Sequence, residues 1–290
     1  MATLREIKRR IEAVKSTKQI TKAMKMVAAS KLRKAQSRML EMRPYADKMK
    51  SVLDSLSAGA GFESHPLLKP RARKTVDILI MTSDRGLCGA FNSNIIKKAN
   101  AFIKERKAEG LDVSLSLIGK KALDYYKRRD MNIRKSWTGL SGKVSFAGSQ
   151  EIAQDVINSY LEENIDEVFL LYNKFMTVMT QEVTMSRLLP YASDAGTEES
   201  SEPSKVYLYE PSRKEVYNQL LPKNIEVQIF RAIIESSASE EAARMTTMEN
   251  ATQNADEMIG SLTLQYNKAR QASITAELMD IVGGVEALNK

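Results

Sequence analysis

The chain has 290 residues, with 44 Lys and Arg against 36 Asp and Glu, so its formal charge at pH 7 is +8. At about 100–200 residues per domain, this length predicts two domains. A single Cys excludes an internal disulfide, and a single His excludes a multi-His metal site. This histidine, His65, precedes Pro66 in a polar segment, so it is poorly placed to act as the base of a Ser-His-Asp triad.

The sequence shows neither a transmembrane run nor a secretory signal. It has no stretch of about 18 consecutive apolar residues. The N-terminal region is charged from Arg5 onward and has no apolar core of the kind that a signal peptide carries. We therefore expect an intracellular, soluble protein.

The positive charge is concentrated near the N-terminus. Residues 1–56 contain fifteen Lys or Arg and five Asp or Glu, a net charge of +10, whereas residues 212–290 have a net charge of −3. Such asymmetry indicates a basic element that faces an acidic partner. Nucleic acid, an acidic protein and a merely solvated helix face are the three interpretations that the composition leaves open.

Residues 1–58 are predicted to form one long helix. Apolar or small residues recur every seven positions, and a second series lies three residues before the first, which keeps one stripe on one helix face. The first series is Ile7, Val14, Thr21, Ala28, Ala35, Met42, Met49 and Leu56. Lys18 and Lys25 interrupt the second series and should loosen the coil locally. The heptad phase continues past Pro44, so we expect an unbroken helix of about 80 Å that needs a coiled-coil partner.

Residues 74–210 are predicted to form an inserted Rossmann-like α/β domain. Short apolar runs alternate with helical segments, which indicates a mostly parallel sheet with crossover helices. The expected strands cover residues 75–82, 113–118, 133–137, 167–172, 181–189 and 205–209. The expected helices cover residues 94–107, 120–129 and 150–163. The acidic, Ser-rich residues 193–204 are predicted to be a loop.

The segment 83–92 follows the first strand and opens a helix, where α/β folds often bind phosphate groups. It lacks the third glycine of a dinucleotide fingerprint and the Gly-Lys-Ser/Thr of a P-loop, so a tight turn is the preferred interpretation. Cys88, next to Arg85 at a helix start, is expected to have a lowered pKa. No metal cluster, triad or paired carboxylates emerge from the sequence, and we expect no cofactor.

Residues 211–290 are predicted to form a second long helix. Ser212 to Glu215 resembles a capping box, and Pro222 either kinks the first turns or marks a later start. Apolar residues again follow heptad spacing, while the Gly283-Gly284 pair should fray the far end. Residues 1–58 and 211–290 can pair antiparallel, which gives a fold of one coiled coil with an inserted α/β domain.

Several motifs together resemble the gamma subunit of the rotary, proton-translocating ATP synthase. The lack of an extra cysteine pair makes the resemblance closer to the bacterial type than to the chloroplast type. The motifs run in the family's order along the chain: 20–24 with 26–31, 83–92, 207–211, 242–245 and 266–275.

The resemblance implies a non-catalytic rotor. The coiled coil would form the central shaft inside a ring of alternating alpha and beta subunits, and the α/β domain would dock with the epsilon subunit on the membrane c-ring. Proton flow would turn this shaft and cycle the beta sites through states of different nucleotide affinity. The chain would be a peripheral protein at the cytoplasmic face of the cell membrane, without direct membrane insertion.

The resemblance also implies roles for individual positions. The residues matched to contacts with the beta subunit are Met24, Lys25, Arg85, Cys88, Arg244, Arg270, Gln271 and Thr275. Those matched to the foot that meets the c-ring and epsilon are Tyr207, Tyr209 and Glu210. The family often has an acidic residue where this chain has Lys25, so we expect different charge pairing there.

Two other functions compete with this one. A nucleic-acid-binding coiled-coil protein would explain the basic helix, although that helix has few aromatic residues and no recognisable binding motif. An enzyme with an inserted Rossmann-like domain would require nucleotide binding by the isolated chain.

Overall fold

A computed structural model describes residues 3–57, 65–140, 145–191, 210 and 212–288. None of its helices is both long and apolar enough to cross a lipid bilayer in this part of the chain. The helices are α1 (Leu4–Ser57), α2 (Phe91–Ala108), α3 (Lys120–Tyr126), α4 (Phe146–Leu161) and α5 (Arg213–Leu288). The strands are β1 (Thr75–Met81), β2 (Asp112–Ile118), β3 (Ile133–Trp137), β4 (Glu167–Phe175) and β5 (Gln181–Leu189).

The chain divides into two compact units. Residues Met1–Ala28 and Met245–Lys290 form one, which we call the two-helix unit, and Ala29–Arg244 form the other, which we call the sheet unit. The long helices α1 and α5 each contribute to both units. Their ends at Ser57 and Arg213 lie close to the boundaries expected from the sequence.

The sheet is mostly parallel, as the alternation of strands and helices predicts. Its strand order is β3-β2-β1-β4-β5, and only β5 runs antiparallel to its neighbour. The central strand β1 is apolar at nearly every position because helices cover both of its faces. The positions of β1 alternate between two cores: Val76, Ile78 and Ile80 pack on one face, and Leu79 and Met81 on the other.

The two faces of the sheet are covered by different elements. Helices α2 and α3 cover the first face through Ile95, Ala99 and Tyr126. The second face packs against α4 together with the end of α1 and the beginning of α5. The side chains that the long helices contribute to this second core include Met49, Leu53, Leu56, Tyr217, Leu221 and Ile225.

Both prolines inside the long helices are accommodated. Helix α1 continues through Pro44, as the heptad phase predicts, and α5 begins at Arg213, ahead of Pro222. The backbone N–H of Glu215 donates to Ser212 Oγ at 3.2 Å, so the expected cap is present. The expected fraying at the glycine pair is not seen, because α5 continues to Leu288.

The long helices pair antiparallel in the two-helix unit. Thr21 Oγ1 and Thr252 Oγ1 lie 2.8 Å apart, and ion pairs join Lys18 to Asp256 and Lys25 to Glu249. In each pair the residue numbers add to 273 or 274, which places Leu4 opposite about residue 270. The two lysines that interrupt the apolar stripe therefore join the helices through ion pairs, where the sequence predicted a looser coil.

Several predicted boundaries need correction. Helices α2 and α4 begin earlier than expected, at Phe91 and Phe146, and α3 ends earlier, at Tyr126. Ser145 explains the early start of α4, because its Oγ accepts from Gly148 N at 3.3 Å. Strand β4 continues to Phe175 because its residues Val168–Phe175 pair with β5. The strand expected at 205–209 and the loop at 193–204 lie outside the described residues.

Candidate functional site

The loop between β1 and α2 is closed by its own side chains. Ser83 Oγ donates to the carbonyl of Arg85 at 2.6 Å, and Asn92 Oδ1 accepts from the backbone N–H of Ser83 at 3.0 Å. Leu87 and Gly89 have positive φ values of 64° and 55°, which the tight turn requires. The loop therefore presents the side chains of Arg85 and Leu87 to solvent.

Cys88 lies inside this loop and not on its surface. Its side chain is 2% exposed, and Asn92 Nδ2 lies 3.2 Å from its Sγ. Burial raises the pKa of the Cys88 thiol above its ordinary value, although the hydrogen bond with Ser83 and the charge of Arg244 act in the opposite direction. The expectation of a lowered pKa was therefore wrong, because the desolvation of the thiolate outweighs a nearby cation.

Arg244 connects α5 to the same loop. Its guanidinium forms ion pairs with Glu240 Oε1 at 2.7 Å and Glu241 Oε1 at 2.8 Å, and it donates to the carbonyl of Gly86 at 3.4 Å. Burial alone would lower the pKa of Arg244, but the two carboxylates raise it, so the residue stays charged. The sequence analysis did not predict these ion pairs. Their only local signal was that Glu240 and Glu241 precede Arg244 by four and three residues, a spacing that allows ion pairs on one helix face.

Helix α5 also fills the space at the carboxyl ends of β1 and β2, where α/β folds hold nucleotides. A cavity of about 30 Å³ remains there, lined by residues that include Thr82, Gly119 and Ser236. This volume has room for about one water molecule. A Cβ atom at Gly119 would lie 2.1 Å from the carbonyl oxygen of Thr82, so the walls are also in close contact.

The remaining contact candidates on the long helices belong to the two-helix unit. Met24 and Lys25 are half-buried, and Lys25 has the acidic partner Glu249 within the chain. Arg270, Gln271 and Thr275 are exposed. The hydroxyl of Thr275 donates to the backbone carbonyl of Gln271 at 3.0 Å. The side-chain amide of Gln271 has no hydrogen-bond partner among the described residues.

Because Leu4 is opposite about residue 270, the residues of α5 that follow Gln271 extend past the described part of the N-terminal segment. Large apolar side chains are exposed on this single helix. They are Ile274, Leu278, Met279, Ile281, Val282 and Val285. A soluble helix that exposes so many apolar groups is typical of a surface that a partner covers.

The structure thus brings some of the predicted positions together and leaves others apart. Cys88 and Arg244 lie together in the sheet unit beneath the loop that carries the exposed Arg85. Of the expected foot residues, Glu210 is exposed, and Tyr207 and Tyr209 lie outside the described residues. In the part of the chain that is described, no group of three or more His, Cys, Asp or Glu side chains is arranged to hold a metal ion.

Comparison with known proteins identifies the family. A family model described as ATP synthase matches residues 3–288. The chain is 49% identical over 288 residues to the ATP synthase gamma chain of Geobacter metallireducens, with 99% of each chain covered. It is 50% identical over 291 residues to that of Syntrophus aciditrophicus, with complete coverage of both.

Solved structures show the same fold. The mitochondrial ATP synthase central stalk and c-ring of Tetrahymena thermophila contains a chain with a TM-score of 0.59 and 29% identity, covering 80% of this chain and 99% of that one. A chain of the Euglena gracilis mitochondrial ATP synthase matches with a TM-score of 0.66 and 21% identity, covering 98% and 94%. The nucleic-acid alternative finds no support in these comparisons. The chain belongs to the family of the ATP synthase gamma chain.

Proposed function

We propose that this chain is the central-stalk rotor subunit of a bacterial ATP synthase, which couples proton flow through a membrane c-ring to ATP synthesis or hydrolysis in a ring of alpha and beta subunits. The observation that carries this proposal is the single-helix end of α5, whose apolar side chains are exposed between Ile274 and Val285. A surrounding ring of subunits would cover these apolar side chains. The paired helices behind this end would transmit torque.

The proposed mechanism depends on asymmetry. The paired helices of the two-helix unit present different side chains in different directions. Lys25 forms an ion pair with Glu249, whereas the neighbouring Met26 and Val27 expose apolar side chains. As such a shaft turned, each beta subunit would meet a different surface in turn. Differential contact with each state is what shifts a conformational equilibrium, here the nucleotide affinity of a beta site.

The exposed candidates suit direct contact with beta. We assign Arg270, Gln271 and Thr275 to polar contacts near the end of the paired region, and Arg85 to a contact from the exposed loop. Met24 and Lys25 are half-buried, so a partner would reach them at their outer edges. Lys25 would offer less free charge than an unpaired lysine because Glu249 already neutralises it.

Cys88 and Arg244 suit a supporting role better than a direct contact, because both side chains are buried. Arg244 holds the carbonyl of Gly86, and Cys88 packs under the same turn. We assign to them the shape of the loop that displays Arg85. A substitution at either residue would then act on beta through the loop.

The foot and the location rest on the resemblance to bacterial gamma chains. Glu210 is exposed and available to a partner, and together with Tyr207 and Tyr209 it would meet the epsilon subunit and the c-ring. The chain would lie at the cytoplasmic face of the cell membrane as a peripheral protein. Its own role would be non-catalytic, with nucleotide chemistry confined to the other subunits, which agrees with α5 occupying the nucleotide position of the α/β domain.

Reconstitution with alpha and beta subunits tests the proposal. We expect the full chain to co-assemble with them and to sustain ATP turnover. The double variant Gln271→Ala/Thr275→Ala should assemble normally and turn over more slowly, because exposed polar contacts are lost while no buried group is disturbed. Thr263→Ala is the matched control, since the Thr263 hydroxyl donates to the Ile259 carbonyl at 2.7 Å in the same way.

Failure of the wild-type chain to co-assemble would refute the rotor function. Normal turnover in the double variant would remove Gln271 and Thr275 from the contact set without affecting the rest of the proposal.

A further inference from the structure

His65, the single histidine of the chain, lies at the start of a turn formed by residues 65–68. The backbone N–H of Leu68 donates to the carbonyl of His65 at 2.9 Å, which closes the turn. The backbone N–H of Leu67 donates to the ring nitrogen Nδ1 of the same histidine at 3.1 Å. The imidazole therefore accepts a hydrogen bond from the turn that its own backbone closes.

Leu67 attaches this turn to the rest of the sheet unit. It is 1% exposed and belongs to the core on the second face of the sheet. Its carbonyl accepts from the backbone N–H of Tyr191 at 2.9 Å, just after the end of β5. The hydrogen bond to the His65 ring thus positions a residue that is both packed in the core and bonded to the chain beyond β5.

The surroundings of the His65 ring suit its neutral form. The ring meets Tyr217 of α5 edge to face, with centroids 6.3 Å apart and planes at 79°. The phenol of Tyr217 carries no charge near neutral pH, and no carboxylate among the described residues pairs with the imidazole. Burial, which disfavours the imidazolium, lowers the pKa of His65 below its ordinary value.

Protonation changes what Nδ1 can do. A neutral imidazole has one acceptor nitrogen and one donor nitrogen, whereas an imidazolium has two donors. The contact with the N–H of Leu67 requires Nδ1 to be the acceptor, so the neutral ring carries its proton on Nε2. A second proton on Nδ1 would place two donors against each other at 3.1 Å, and the ring would have to rotate away from Leu67.

We propose that the turn 65–68 is a pH-dependent conformational switch, closed while His65 is neutral and released when His65 is protonated. Release frees the N–H of Leu67 and loosens both its packing in the core and its bond to Tyr191. The half-buried ring can take its proton from solvent. The switch does not depend on the proposed rotor function, because all of its parts lie in the sheet unit.

The dependence of stability on pH has a definite sign. Because the pKa of His65 is lowered in the folded chain, the folded state binds a proton less tightly than the unfolded chain, where imidazole titrates near about 6.5. The closed turn therefore contributes its full stabilisation above about pH 6.5. This contribution is lost as the pH falls through the folded pKa, at a higher pH than carboxylates titrate.

Amide exchange of the full wild-type chain, measured by NMR between about pH 7.5 and about pH 5, tests the switch. The ring C–H signals come from a single histidine, so they report the protonation of His65 without overlap. We expect the protection factors of the Leu67 and Tyr191 amides to fall by about two- to tenfold, the range for one neutral hydrogen bond. Their midpoint should coincide with that of the ring, and both should lie below the ring midpoint in urea. The amide of Ile78, in the central strand, should keep its protection.

Two variants separate the charge of His65 from its hydrogen bond. In His65→Asn, the side-chain oxygen can accept from an N–H two residues later but does not titrate. We expect the protection factor of Leu67 in this variant to match that of the neutral wild type across the whole pH range. His65→Ala removes the acceptor and should lower this protection by about two- to tenfold at every pH.

Three results would overturn the proposal. The first is constant protection of Leu67 while the ring titrates. The second is a pH-dependent loss of protection that persists in His65→Asn, which would assign the effect to another group. The third is a ring midpoint in the folded chain at or above that in urea. If circular dichroism shows that His65→Asn is unfolded, the comparison of midpoints in the wild type decides the matter. No alpha or beta subunit is present, so failure here leaves the rotor function intact.

Discussion

Helix α5 is one continuous helix, but its two portions use their side chains differently. In the sheet unit, apolar side chains such as Leu221, Ile225 and Ile229 are fully buried. In the two-helix unit, Met248 and Ala255 are the only α5 residues among those described that are buried, and larger ones such as Leu264 are exposed. The first portion folds the chain on itself. The second leaves an apolar surface for other molecules.

The charged residues follow the same division. The ion pairs of Arg244 on α5 in the sheet unit are desolvated, with both side chains of the Arg244–Glu240 pair less than a tenth exposed. In the two-helix unit the Lys25–Glu249 pair is 38% and 45% exposed. Buried pairs are expensive to break and exposed ones are not, so substitutions along one helix should have graded effects on stability.

The largest expected loss is at Arg244. The variant Arg244→Ala would remove the buried cation that pairs with both Glu240 and Glu241, and we expect the free energy of unfolding to fall by about 3–5 kcal/mol. Urea denaturation followed by circular dichroism measures this value. Arg270→Ala, at an exposed position of the same helix, is the control and should change stability by less than about 0.5 kcal/mol. Similar losses in the two variants would contradict the proposed division.

The same contrast applies to apolar residues. Leu221 is 0% exposed and Leu264 is 72% exposed. We expect Leu221→Ala to lower the free energy of unfolding by about 2–5 kcal/mol, because it opens a cavity in the core beneath the sheet. Leu264→Ala removes the same atoms from an exposed position and should lower it by about 0.5 kcal/mol or less. The urea midpoints of the two variants provide the comparison.

A pH-dependent effect is expected inside the sheet unit at Asp155. Partial burial alone would raise the pKa of Asp155, but the hydrogen bonds from Lys135 and Arg134 outweigh it and hold the pKa below its ordinary value. A carboxylate with a lowered pKa stabilises the fold above its unfolded pKa of about 4, and this contribution disappears as the pH falls through the folded value.

Asp155→Asn should therefore destabilise the chain by about 1 kcal/mol at neutral pH, after allowance for partial solvent screening. The difference from wild type should shrink as the pH falls below about 4. Denaturation midpoints across this pH range measure it, and Asp124→Asn at an exposed position of α3 is the control. A difference that stays constant with pH would show that Asp155 acts through packing and not through its charge.

The smallest effect is expected at Lys25. Its exposed pair with Glu249 should contribute about 0.2–1 kcal/mol, and salt should reduce that contribution. A double-mutant cycle of Lys25→Ala and Glu249→Ala, measured at low and high salt, isolates the pair energy. A coupling above about 2 kcal/mol would mean that the two-helix unit depends on its ion pairs as strongly as the sheet unit does.

The sequence was sufficient to predict the fold wherever the chain is strongly periodic. The heptad spacing from Ile7 to Leu56 predicted α1 and its antiparallel partner, and the apolar run at Val76–Met81 predicted the central strand. Local signals were weaker at the ends of elements. Helix α4 begins four residues ahead of the predicted start because Ser145 caps it, a signal that the apolar spacing used for the prediction does not include.

The candidate sites depended on contacts that no local pattern contains. Gly86 and Arg244 are 158 residues apart, and their contact follows from how α5 packs in the sheet unit. The raised pKa of Cys88 follows from burial, which Arg85 beside it in sequence does not indicate. The motifs that resemble the gamma family identified these segments without showing which side chains are accessible.

Direct observation of rotation tests the central claim that this chain is a rotor. Cys88 is buried and its thiol pKa is raised, so the variant Lys104→Cys offers one exposed thiol on α2 for a fluorescent or bead probe. Complexes with alpha and beta subunits would be fixed to a surface through beta and supplied with ATP. The proposed function predicts rotation of the probe in one direction that stops when ATP is removed. A probe that remains stationary, or only fluctuates, while the same complexes hydrolyse ATP would contradict it.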